Sequence, residues 1–122
     1  MKGKGVAVFV SQPMRDRSKE AIEGERKRLF DELPNILGVE RYLEIPMLSE
    51  LECAMNNPAH CLGSSIQDMS HSDIVVFLPG WRDARGCVVE HAVCMMYRIP
   101  YVELGDGGSG YFIIRDERGR WS

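Results

Sequence analysis

The sequence predicts an α/β domain of three layers, α/β/α, built on a mainly parallel sheet of four or five strands. Three observations carry this reading. The run Asp73-Ile-Val-Val-Phe-Leu78 is short, apolar and rich in β-branched residues, and Pro79-Gly80 stops it, as expected of a buried strand. A polar loop, a helical pattern over residues 86–97 and a second short strand over 99–104 follow, which completes a βαβ unit and implies parallel pairing. Residues 5–10 are apolar throughout, which suits a first strand covered on both faces.

At 122 residues there is room for one domain with one core. The composition, 44% hydrophobic and 27% charged, is that of an ordinary globular chain. A net charge of −3 leaves no basic footprint for a nucleic-acid polymer. No apolar run approaches the roughly 18 residues of a membrane span, and Met-Lys-Gly-Lys leads into a strand instead of a signal peptide. Cysteines 53, 61, 87 and 94 form no CxxC pair, so reduced thiols in a cytoplasm are expected, not a disulfide frame. Cys53, His60 and Cys61 lack a fourth ligand at zinc spacing, and no metal is expected.

The elements follow in order. The first strand breaks at Ser11-Gln12-Pro13-Met14, and Asp16 or Ser18 caps a helix that ends at Pro34. Ile22, Leu29, Phe30 and Leu33 form its inward side, and the charges from Glu20 to Glu32, Arg26 among them, form a solvated face. Residues 38–45 read as a weaker strand at a sheet edge. Leu48, Leu51 and Met55 suggest a short helix ended by Asn56-Asn57-Pro58, and Ser64 or Ser65 starts another that runs to about Ser70. In the helix over 86–97, Val89, Ala92, Val93 and Met96 share the face expected to turn inward. The glycine-rich run 105–110 precedes a strand over 111–114 and opens no helix, so a plain turn is expected instead of a phosphate cradle. Residues 115–119 read as a turn, with Trp121 returning to the core.

In a parallel sheet, ligands sit beyond the carboxyl ends of the strands, where Gly80 to Glu90 must lie. Glu90 is the only carboxylate on its helix and the first candidate for chemistry. Its place in the first turns of that helix is expected to favour the ionised form. Ser11, Gln12 and Met14 end the first strand beside the same region, and Arg15 and Arg17 are the candidates for an anionic partner. Asp73, opening its strand, is expected to have a structural role. Trp81 can stack on a ring or pack in an interface, and His91, about 100° round the helix from Glu90, is expected to point away.

Two segments resemble one family. Val6-Ala-Val-Phe-Val-Ser-Gln-Pro-Met14 looks like the first strand and loop of the nucleoside 2-deoxyribosyltransferase-like proteins. The stretch Asp73 to Trp81, with Gly86 and Glu90, resembles that family's second signature, an aspartate-led strand, a glycine loop and a helix glutamate. The wording Leu-Pro-Gly-Trp is especially like a small phage and bacterial branch. The resemblance covers about 35 of the 122 residues. It implies a Rossmann/flavodoxin-like fold and retaining chemistry at a deoxyribose anomeric carbon. Glu90 would attack C1′ of a nucleoside or nucleotide, and the deoxyribosyl group would pass to water or another base; a carboxylate is a competent nucleophile at such a centre.

The resemblance carries further expectations and three departures. It implies a small-molecule nucleoside or nucleotide as partner, no cofactor, and a homo-oligomer whose neighbours complete the pocket. Gly80, Trp81 and Gly86 would line that pocket with Ser11, Gln12, Met14 and Arg15. Where the family often has a strand tyrosine, this chain has Phe9, which cannot donate a hydrogen bond. Ser65 stands where an aspartate is usual, with Asp68 three residues later on the same helical face as a shifted general acid. Ala84 replaces the serine or aspartate expected to bind the sugar or its phosphate. Two other classes of function suit these departures. One is a non-catalytic nucleotide-binding or sensing module; the other is a phage accessory protein acting through a protein interface.

Overall fold

The computed structural model describes residues 6–38, 42–44 and 58–119 of the chain. The elements are β1 (Val6–Ser11), α1 (Lys19–Leu37), β2 (Tyr42–Glu44), α2 (Pro58–Met69), β3 (Ile74–Phe77), α3 (Arg85–Tyr97), β4 (Tyr101–Asp106) and β5 (Tyr111–Glu117), with a 3-10 turn at Trp81–Asp83. They form a mixed α/β fold on one open sheet of order β2-β1-β3-β4-β5. All neighbours pair in parallel except β4 and β5, which are antiparallel. The helix expected over 48–55, the Cys53–His60–Cys61 side chains and Trp121 lie outside the described residues.

Alternation along the strands divides the core in two. Val8, Val10, Ile74, Val76, Leu78, Val102 and Leu104 cluster with Leu29, Leu33 and Leu37 of α1. Phe9, Val75, Phe77 and Tyr101 cluster instead with Met69 of α2 and Cys94 of α3. The inner strands are apolar at successive positions, so both of their faces carry buried side chains. Asp73 ties β3 to β1 at their amino ends, donating its N–H to the Ala7 carbonyl at 2.7 Å and accepting the Ala7 N–H on Oδ2 at 2.8 Å.

Several expectations are corrected. Helix α1 runs through Pro34 to Leu37. A proline in the last turn forfeits only its own bond to the Phe30 carbonyl, and the extra turn buries Leu37 before Gly38 closes it at φ +80° with its N–H on the Pro34 carbonyl. Gly38 is thus a helix cap instead of the start of β2. Arg26, expected on the solvated face, is buried. Helix α2 begins at Pro58, six residues before the serines proposed to start it, because a proline suits the first helical position as well as it suits an end. Strand β5 continues to Glu117, past the turn expected at 115, held by pairing to β4 across a bulge between Glu103 and Leu104.

The largest correction concerns α3. Cys87, Glu90 and Cys94 face inward, while Val88, Ala92 and Met96 are exposed. This helix is apolar nearly all round, so hydrophobic periodicity alone does not select its buried side.

Candidate active site

Strand order reverses direction at β1: β2 lies on one side of it and β3 on the other. The connections leaving β1 and β3 therefore diverge at their carboxyl ends, the place where open α/β sheets in general bind ligands. The Leu78 N–H bonds the Ser11 carbonyl at 3.0 Å, so the two strands stay paired to that edge. Just past it Gly80 turns at φ +88°, where a Cβ would lie 3.6 Å from Pro13 Cγ. A left-handed residue there is what glycine accepts without strain.

Glu90 approaches this end of the sheet from the second turn of α3, bonded to Ser11 at the end of β1. The residue is only 7% exposed, and Ser11 Oγ donates to its Oε1 at 2.7 Å. The buried Ser65 of α2 hydrogen-bonds the same carboxylate. Three elements thus converge on one acid: β1 through Ser11, α2 through Ser65 and α3 through Glu90. Burial pushes the Glu90 carboxyl up to about 7, against the two hydroxyls, which favour the charged form. The expectation that its helix position would keep it readily ionised is therefore reversed: loss of water outweighs the dipole. Cys94, one turn on, is held up to about 12 by burial and then by the Glu90 charge, so it is an inert thiol.

The remaining sequence candidates divide. Phe9 shares the site's side of β1 with Ser11 and lies in the core with Met69 and Phe77, offering the carboxylate no polar atom. Gln12 turns to α1: its amide donates to the Ile22 carbonyl and to Glu25, and its carbonyl accepts from Arg26. Met14 is half-buried, and Arg15 is exposed in the loop. Arg17 is committed to Glu25 at 2.7 Å and to the Pro13 carbonyl at 2.8 Å. Asp68 is half-buried one turn from Ser65, with no hydrogen bond or ion pair to Glu90 among the described residues. Ala84 caps α3 with extended backbone and no side-chain bond, and a Cβ on Gly86 would meet open space.

One residue, Glu103, was missed. Trp81 stacks one face of its indole on His91, centroids 4.1 Å apart, so that face is closed to a ligand ring. His91 does turn from the Ser11 side, yet into the sheet, not into solvent. Its Nε2 lies 2.8 Å from Glu103 Oε2, a carboxylate only 3% exposed. Arg82 and Arg115 approach the same carboxylate at 3.6 and 3.8 Å. The signal was present: Glu103 is a lone acid inside the apolar run Tyr101 to Leu104, and a buried charge needs partners.

Among the described residues no group of three His, Cys, Asp or Glu is placed to hold a metal ion, and no helix is long and apolar enough to cross a membrane. Two surface cavities, one between α1 and β5 beside Asn35 and Phe112 and one beyond the carboxyl end of α3 beside Arg98, lie away from Glu90. Comparison of the chain with family models, with curated proteins and with solved structures returns no match.

Proposed function

We propose that this chain cleaves the N-glycosidic bond of a nucleoside or nucleotide through Glu90, by hydrolysis or by deoxyribosyl transfer. The observation that supports the proposal is a buried carboxylate clasped by the Ser11 and Ser65 hydroxyls at the carboxyl ends of β1 and β3, where sheets of this kind generally take ligands. An ionised Glu90 oxygen attacks C1′, the bond from C1′ to the base nitrogen breaks, and the base leaves with the electron pair. Asp68, or solvent, returns a proton to the base. Water then attacks C1′ of the glycosyl ester, loses a proton and frees Glu90; another base in place of water gives transfer. The hydroxyls of Ser11 and Ser65 hold the carboxylate in place as it reacts. The same reading includes a three-layer, Rossmann/flavodoxin-like arrangement, supported by the two clusters that α1 and the pair α2 and α3 share with opposite sides of the strands. It also includes a reducing, cytoplasmic setting, which the buried free thiols of Cys87 and Cys94 support.

The test is chromatographic detection of free base from 2′-deoxynucleosides and their 5′-monophosphates, with Glu90→Gln alongside. Wild-type release and a loss of ~10² to 10⁴-fold in the variant is the expected result. A second reading, a binding module without turnover, is favoured by the apolar Phe9 and the enclosure of Glu90. It predicts calorimetric binding of the same compounds with no base released.

A further inference from the structure

At the opposite end of the strands from Glu90, β4, β5 and the end of α3 build a second concave surface. Glu90 stands by Ser11, which pairs with Phe77 at the end of β3, whereas Tyr101 opens β4 beside Val75, near the start of β3. Tyr101 lies opposite Glu117 of β5, and Glu103 lies opposite Arg115, so these four share one side of the antiparallel pair. It is the side that α3 occupies, because His91 bonds Glu103. The last turn of α3 and the residues after it form the facing wall. Between them lies a surface cavity of about 570 Å³, within the ~300–1,000 Å³ typical of small-molecule sites.

The lining divides by chemistry. Met95, Ile99 and Pro100 give it an apolar wall, while Arg98, Arg115 and Arg118 stand around it against one carboxylate, Glu117. In a chain of net charge −3 this is a local reversal of sign. Arg118 is committed within the fold, to Asp116 at 2.6 Å and to the Leu37 carbonyl at 3.1 Å. The other two are not. Arg115 is exposed; besides the Tyr101 hydroxyl it reaches Glu103 and Glu117 only at 3.8 and 3.7 Å, and His91 already holds Glu103 at 2.8 Å. Arg98 is exposed and has no carboxylate within ion-pair distance among the described residues. It also ends α3 at φ +58°, a left-handed position usually given to glycine or asparagine. An arginine held there bears backbone strain that capping alone does not call for.

We propose that this cavity binds a small organic oxyanion, a phosphate ester or carboxylate on a compact apolar body. Arg98 and Arg115 hold the head, and Met95, Ile99 and Pro100 pack against the body. Planar guanidinium forks match heads that present two oxygens side by side. A neutral ligand would leave both arginines unanswered, and a bare inorganic ion would leave the apolar wall in water. The proposal does not depend on what Glu90 does.

Two-dimensional amide NMR of the full chain, titrated with phenyl phosphate, tests it. Shifts are expected within residues 94–101 and 115–119, saturating below ~10 mM as suits a fragment of about ten heavy atoms. Arg98→Gln should weaken binding roughly fivefold or more, and Met95→Glu, which sets an anion in the wall, should abolish saturation. Both positions are exposed, so neither variant should move the melting temperature. Benzoate run alongside separates the two heads: tighter binding of either compound supports the site and names its class. Benzyl alcohol binding as tightly as phenyl phosphate overturns the part given to the arginines, and inorganic phosphate binding as tightly overturns that of the apolar wall. Shifts centred on Ser11 and Ser65, or an affinity unmoved by either variant, overturn the site.

Discussion

Glu90 titrates near neutrality because burial and its two hydroxyl partners pull in opposite directions. A nucleophile must be ionised, so base release should fall about tenfold per pH unit below 7 and level off above it. Ser11→Ala removes a bond that favours the ionised form and should move that profile to higher pH; an unmoved midpoint in the pH–rate curve would remove Ser11 from the site. The same carboxyl sets a stability trend. Its folded pKa of about 7 lies above the ordinary 4.5, so the native state holds the proton more tightly than the unfolded chain. Its stabilising contribution is complete below pH 4.5 and is lost as pH rises through 7. Glu90→Gln should therefore match wild type near pH 4 and exceed it by about 3 kcal/mol near pH 8, read from urea midpoints. A gain greatest at acid pH would contradict the burial argument.

At the scale of elements, the sequence was clearest where a local rule had no competitor. β1 and β3 were legible as apolar runs rich in β-branched residues, and Ser18 caps α1 as its position suggests, accepting the Ala21 N–H at 3.0 Å. Proline misled twice, because at Pro34 and Pro58 one residue type fits both ends of a helix. The bulge in β5 broke the period of two, so its second half looked like a turn. Pro34 leaves the Phe30 carbonyl without its helical partner. Pro34→Ala should restore that bond and stabilise the fold by roughly 1–3 kcal/mol, measured by thermal or urea unfolding. No gain would mean that the last turn of α1 owes its form to the packing of Leu37 alone.

For the whole molecule, the order of strands is what the chain does not spell out. A βαβ pattern implies parallel neighbours, but that β1 lies beside β3, so that Ser11 and Glu90 meet across 79 positions, is a product of tertiary packing. Glu90, Ser11 and Ser65 could be picked from the sequence, and Glu103 stands out in it as a lone acid in an apolar run; that His91 is its partner could not be read, because the pairing depends on β4 sitting under α3. Helix α3 carries a further consequence for genetic variation. Its inward side holds the acid, the imidazole and two core thiols, and its outward side is apolar where a surface helix such as α1 is charged. A mutational scan of α1 would find relief every third or fourth residue. Along α3 the rhythm is set by chemistry as well as packing: Cys87, Glu90, His91 and Cys94 on its inward side leave little room to drift, while Val88, Ala92 and Met96 face outward and leave more.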